Sequence, residues 1–232
     1  MVYNIYMYLD KYKPKNNITP HIIKDFFTKE EVDVILAIIK YQKNAKDLDE
    51  FYAPLVLPNM SRMQIEVMYP IHIQRKLEKF ASELVGEEVL MFHNSYLDYT
   101  LEHNPDINPK LPVHYDSDNY FTKLTMDYQL YSNIDWPIVI EGESFNLQYG
   151  DLLLFWGAGQ IHWREPVKFK NGDRTEVLTM HFSTKKDFEE LNFAARDPKA
   201  RKARLEEWNK DPIFAKYNKE YNEKEFNKKD QD

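Results

Sequence analysis

The chain has 232 residues, enough for one large domain or a domain with appendages, and enough to bury a substantial core. A net charge of −7 and the lack of cysteine exclude disulfides and thiolate metal sites and disfavour nucleic acid or an anionic membrane as partner. No apolar run approaches the roughly 20 residues that span a bilayer, residues 1–10 lack the features of a signal peptide, and a cysteine-free chain suits a cytoplasmic location.

Residues 3–9 alternate loosely and predict an opening strand, and Ile22 to Phe27 reads as extended. A helix then starts at Thr28, an N-cap residue with Glu31 three positions on to close a capping box, and Phe27 and Val32 placed as a hydrophobic staple. Val32, Ile35, Leu36 and Ile39 fall on one face of it. Residues 43–60, with Pro54 and Pro58, read as a loop. A second helix is predicted over Ile71 to Leu84, carrying Ile73, Leu77, Phe80 and Leu84 on one face and ended by Gly86.

From Glu88 onward the period changes. Val89 to Tyr99 predicts a strand, and Glu102 to Pro112 a loop. Phe121 to Tyr131 alternates, with Leu124, Met126, Tyr128 and Leu130 on one face. Short strands follow at 136–140, 144–148, 151–156, 162–169 and 175–182, separated by turns such as Glu141-Gly142 and Asn171-Gly172. Many short, closely spaced strands predict a sandwich or barrel. After Ser183 the chain becomes charged and helical in propensity. We therefore divide it into a domain at 1–183 and a helical C-terminal extension at 184–232. Leu191, Phe193, Leu205, Trp208, Ile213, Phe214 and Tyr217 could dock on the barrel or on another subunit, giving a monomer or a homodimer through these helices. Residues 218–232 read as frayed.

The chemistry gathers around Leu111-Pro-Val-His-Tyr-Asp116. His114 and Asp116 are two apart, so on a strand they point to the same face. A further histidine, His162, follows the apolar stretch Asp151 to Trp156, and Arg174 comes twelve residues later. Two histidines and one carboxylate leave half of an octahedral metal's positions open, as in non-haem Fe(II) oxygenases.

These residues resemble the 2-oxoglutarate/Fe(II)-dependent dioxygenase superfamily, and within it the prolyl-4-hydroxylase-like group. The resemblance rests on the helix start Phe26 to Glu31, on Leu97-Asp-Tyr99, and on His114-Tyr-Asp116. It continues through Gly150-Asp-Leu-Leu-Leu-Phe155 and the run His162, Pro166, Val167, Gly172, Arg174. It covers about residues 22–183. Where the family often carries Gly-Gly, this chain has Ile134-Asp-Trp-Pro137, and His181 stands where a Trp is common. The resemblance implies a mainly β fold with flanking helices (α+β), a double-stranded β-helix or jelly roll with support helices on one side. His114 and Asp116 would start its second strand, with His162 on the seventh and Arg174 on the eighth facing the same interior. It implies Fe(II) held by His114, Asp116 and His162, and 2-oxoglutarate as co-substrate. The far carboxylate would be held by Arg174, helped by Tyr99 and more weakly by Thr125. With O2, and ascorbate as an optional reductant, an unactivated C–H would be hydroxylated with release of succinate and CO2. The substrate would be a peptidyl residue such as proline or a small amino-acid-like molecule, met by Arg164, Trp163 or His181. The competing readings are a silent jelly-roll binding module and a metalloenzyme that does not use 2-oxoglutarate. His21, His72, His93 and His103 lie outside the pattern and read as surface or packing residues.

Overall fold

The computed structural model describes residues 13–116, 122–189 and 210–229. The strand expected at 3–9 and the tail residues Leu191, Phe193, Leu205 and Trp208 lie outside these. The described elements are β1 (His21–Ile23), α1 (Lys29–Asn44), β2 (Leu55–Leu57), β3 (Arg62–Ile65), α2 (Ile71–Val85), β4 (Leu90–Thr100), β5 (Leu124–Ser132), β6 (Ile138–Ile140), β7 (Glu143–Phe145), β8 (Leu152–Phe155), β9 (His162–Arg164), β10 (Arg174–Ser183) and α3 (Pro212–Lys229). None of the described helices is long and apolar enough to cross a membrane.

Both early helices start and stop as the sequence dictates. At the head of α1, the Glu31 amide donates to Thr28 Oγ1 at 3.3 Å and the Thr28 amide donates to Glu31 Oε2 at 2.8 Å, satisfying two donors that the first turn leaves free. Val32, Ile35, Ile39 and Gln42 are buried on one stripe, whereas Leu36 is turned outward. Ile73, Leu77, Ala81 and Val85 form the buried stripe of α2, with Phe80 and Leu84 packed at its edge. Gly86 ends α2 at φ +81°, and an added Cβ would lie 2.9 Å from the Asn16 side chain. That side chain donates to the Leu84 carbonyl at 2.9 Å.

The strands form two antiparallel sheets. The larger has the order β1-β8-β5-β10-β4-β3-β2, and the smaller β7-β6-β9. On β5, Leu124, Met126, Tyr128 and Leu130 join the helices in the main core, as do Leu178, Met180 and Phe182 of β10. The alternate residues face the other way, and there Leu153 and Phe155 of β8 pack with Ile138, Ile140 and Phe145 of the smaller sheet. The space between the sheets is therefore apolar at the β8 side. Elsewhere it is polar, through Thr125 and Asp127 of β5 and Thr179 and His181 of β10.

Several expectations need correction. Residues 43–60 are not all loop: they contain β2 and a 3₁₀ turn at Pro58–Met60, and β2 pairs with an unanticipated β3. Strands of three and four residues carry too little periodicity to stand out in sequence. The segment carrying His114 and Asp116 is joined to β9 by one bridge, His114 to His162, and the residues directly after it lie outside those described. The tail at 218–229 is helical, not frayed. Phe214 and Tyr221 anchor it in a cluster with Val113, Val139, Ile161 and Trp163, and Lys224 pairs with Glu165 at 2.7 Å. Packing, not propensity, holds this helix.

Candidate metal centre

His114, Asp116 and His162 come together although the first and last of them are 48 positions apart in sequence. The cause is local backbone pairing. The His114 amide donates to the His162 carbonyl at 3.0 Å, and the His162 amide donates back at 2.9 Å. The Asp116 amide donates to the Gly157 carbonyl at 2.9 Å. One ligand atom from each side chain lies within 4.8 Å of the others. His162 Nε2 is 3.5 Å and His114 Nε2 4.0 Å from Asp116 Oδ1.

The tautomers are fixed by the backbone. His114 Nδ1 faces the Pro112 carbonyl at 2.8 Å, and His162 Nδ1 faces that of Gln160 at 2.9 Å. A carbonyl only accepts, so each Nδ1 carries a hydrogen and each Nε2 is left as the nitrogen available to a metal. Adjacent ligands of a six-coordinate ion with bonds of about 2.1 Å stand about 3 Å apart. The three atoms are slightly wider than this, so small side-chain rotations would close them on an ion. Two imidazoles and a carboxylate suit iron, and with no thiol in the chain the donor set is purely N and O.

The carboxylate is held from several sides. Thr125 donates its hydroxyl to Asp116 Oδ2 at 2.8 Å, and His181 Nδ1 lies 3.6 Å from the same oxygen. Burial opposes ionisation of Asp116, yet His181, His162 and His114 around it hold its carboxyl well below the usual range. Burial, with the nearby His162, pushes His114 down to about 3. Burial acts the same way on His162, but Asp116 outweighs it and raises this imidazole. Burial likewise lowers His181 to about 4 and raises Asp127 to about 6.

The triad opens onto a cavity of about 220 Å³, also lined by Thr125, Asp127, Thr179, His181, His93 and Arg62. This is smaller than pockets for drug-sized ligands, which run from about 300 Å³ upward. Of the other expected site residues, Thr125 and His181 reach it. Tyr99 is buried and accepts from Arg62 Nη1 at 3.1 Å. Trp163 does not face the cavity: it lies under α3, its ring 4.7 Å from that of Tyr217. Arg164, on the same face of β9 as His162, is buried.

Arg174 is not brought to the site. It points to the opposite face of β10, with Nε 3.1 Å from Asp98 Oδ1 and Nη2 paired with Glu102. Asp98 also receives Lys43 from α1, which places this ion cluster on the helix side of the sheet. Sequence reasoning also missed four contributors. His93 was read as outside the pattern, but it lines the cavity with its ring 5.4 Å from that of His181. Asp127 and Arg62 were not singled out, although alternation on β5 already sets Asp127 on the face of Thr125. Gly157 lies against Asp116, where an added Cβ would sit 1.7 Å from Oδ2; no local pattern announces that contact.

No protein-family model matches the chain, and no curated protein matches it. Solved structures do share its fold. The non-heme alpha ketoglutarate-dependent epimerase SnoN from nogalamycin biosynthesis is 9% identical with a TM-score of 0.56, over 78% of this chain and 83% of its own. EctD from S. alaskensis, solved with 2-oxoglutarate and 5-hydroxyectoine, is 12% identical with a TM-score of 0.55, over 72% and 73%. HygX from Streptomyces hygroscopicus, solved with nickel, 2-oxoglutarate and hygromycin B, is 10% identical with a TM-score of 0.53, over 77% and 86%. At such low identity the likeness speaks to fold, a mostly antiparallel two-sheet architecture with few helices.

Proposed function

We propose that this chain is an Fe(II)- and 2-oxoglutarate-dependent oxygenase built on a double-stranded β-helix. The observation that carries the reading is the convergence of His114 Nε2, His162 Nε2 and Asp116 Oδ1 at a polar cavity between the sheets. The fold supports it, because fold neighbours have been solved with 2-oxoglutarate and with iron or nickel. Fold alone does not decide chemistry; the two-histidine, one-carboxylate donor set adds support to the reading.

Bound at this triad, iron with 2-oxoglutarate and O2 would supply the oxidising power to attack an unactivated C–H, with succinate and CO2 as co-products. The chain's own residues do the placing. The Pro112 and Gln160 carbonyls aim the imidazoles, and Thr125 and His181 set the carboxylate. The two sheets keep bulk water from the metal. The small cavity and the small-molecule ligands of EctD and HygX favour a small-molecule substrate over a peptidyl residue. Hydroxylation is the expected outcome at the carbon attacked.

The test is anaerobic. Metal-free protein is loaded with Fe(II), 2-oxoglutarate is added, and the visible charge-transfer band of the chelate is followed. Small polar metabolites are then screened aerobically for stimulated succinate release. Iron binding without a band would favour a metalloenzyme that does not use 2-oxoglutarate. Failure to bind iron would favour a silent binding module.

A further inference from the structure

The site as described lacks a cation for the far end of its co-substrate, because Arg174 is spent on Asp98 and Glu102 on the opposite face of β10. Two other arginines stand on inward faces of their strands, Arg62 among the residues that line the cavity and Arg164 buried behind them. Arg62 lines the cavity, but its terminal nitrogens are already engaged by Tyr99 Oη and Gln64 Oε1. It also stands on β3, three strands from β5 in the order β5-β10-β4-β3, where His114 already feels its charge.

Arg164 is different. It lies two residues beyond His162 on β9, so the two side chains share a face, displaced by about 6.7 Å of strand. That is the scale of an extended five-carbon diacid whose keto end sits at the metal. Arg164 is only 3% exposed. Its guanidinium lies over the Trp136 ring, 5.0 Å from the centroid, and Nη1 donates to the Trp136 carbonyl. Its Nη2 is buried without a hydrogen-bond partner. Among the described residues no carboxylate comes within ion-pair distance of it. The cavity-lining Asp127 feels its charge, and Asp127 Oδ1 is itself unpartnered. A buried guanidinium with an idle donor and no anion costs stability, and such groups call for an explanation.

We infer that Arg164, reaching in from the strand that carries His162, receives the far carboxylate of the 2-oxo dicarboxylate co-substrate. This rests on the oxygenase reading above and deepens it. The anion would accept from Nη2, while the Trp136 carbonyl and ring keep the guanidinium oriented. Arg62, which also lines the cavity, is left for the substrate.

The experiment uses the full chain loaded with Fe(II) without oxygen. 2-Oxoglutarate and pyruvate, the same 2-oxo acid head without the far carboxylate, are each titrated against the charge-transfer band. In the unaltered protein 2-oxoglutarate should bind more tightly than pyruvate. Arg164→Gln should weaken 2-oxoglutarate by about 10- to 100-fold, the worth of a charged hydrogen bond, and leave pyruvate unchanged. The preference then collapses, a ratio that partial misfolding does not mimic. Arg174→Gln should leave the preference intact. If Arg164→Gln no longer binds iron, Arg164→Lys gives the reading: it keeps the charge but not the fork, and a loss specific to 2-oxoglutarate supports the assignment. A preference that survives substitution at Arg164, or that collapses instead in Arg174→Gln or Arg62→Gln, overturns it and leaves Arg164 as a counter-charge for Asp127. If the unaltered protein gives no band with either acid, the oxygenase reading itself fails, a result distinct from a misplaced anchor.

Discussion

Gly157→Ala is the sharpest single test of the metal centre. The Gly157 backbone is not in the left-handed region, so alanine meets no backbone strain there, and the effect comes from contact alone. The new methyl would lie 1.7 Å from Asp116 Oδ2, 2.3 Å from Thr125 Oγ1 and 2.8 Å from Asp116 Cγ, where ordinary contact begins at 3.4 Å. The carboxylate must therefore retreat by about 1.7 Å, against a tolerance of about 0.2 Å in a metal–ligand bond. It cannot swing freely, because the Asp116 amide is tied to the Gly157 carbonyl and Oδ2 to Thr125. We expect Fe(II) affinity to fall at least about 100-fold, the upper end of what losing a supporting partner costs. Anaerobic calorimetric titration measures it, with circular dichroism as the check on folding. Gly172→Ala is the control: nothing lies within 4 Å of its added Cβ, but φ is +90°, so it should cost about 1 kcal/mol of stability and spare the metal. Near-unaltered iron affinity in Gly157→Ala would refute the placement of Asp116 as a ligand.

Thr125→Val keeps the shape but removes the hydroxyl that donates to Asp116; iron affinity should drop about tenfold, and an unchanged titration would show the hydroxyl to be idle. Phe214→Ala empties the anchor of α3 beside Val113 and Trp163, the neighbours of His114 and His162. It should cost about 3 kcal/mol in urea unfolding, and a loss below 1 kcal/mol would mean α3 is not docked there. Asp127→Asn tests the buried acid. Burial raises Asp127 to about 6 from about 3.9 in an unfolded chain, so the folded state holds this proton more tightly. Stability is then lost as pH rises from about 4 through 6, by up to about 3 kcal/mol at neutral pH. The metal-free variant should thus be more stable than the unaltered protein at pH 7.5 and no more stable at pH 4, read from paired urea midpoints. A gap that widens toward acid would reverse the sign and sink the argument.

Much of the scaffold was legible because local rules sufficed. The Thr28–Glu31 capping box, the Gly86 terminus, and the alternation of Leu124, Met126, Tyr128 and Leu130 each follow from a few neighbouring residues. The cluster of His114, Asp116 and His162 was legible too, since His114 and Asp116 are two residues apart and His162 follows a buried run. What was illegible depends on tertiary contact. Gly157 matters because its Cα meets Asp116, and sequence shows only one glycine of Trp156-Gly-Ala-Gly-Gln160. His93 enters the site because β10 pairs it with His181, a register set over nearly ninety residues. The C-terminal helix is weakly amphipathic by sequence and is held by Phe214 and Tyr221 against segments from elsewhere in the chain.

The misplacement of Arg174 is of another kind, because the sequence already held the signal against it. Leu178, Met180 and Phe182 mark one face of the last strand as apolar, and Arg174 shares their parity. His181 and Thr179 have the other. A strand's side chains alternate, so an odd separation of seven residues cannot put Arg174 and His181 on one face unless a bulge intervenes. Against β4 the pairing runs without interruption from Arg174 to His181, and the shift against β5 between Glu176 and Val177 puts its extra residue on β5, so the parity of β10 holds. Spacing from His162 counted residues along the chain; the face is decided by parity within the strand. By that rule Arg164, two residues from His162, had the stronger claim to the interior. There its buried Nη2 is without a hydrogen-bond partner, a donor that the far carboxylate of a dicarboxylate could take up.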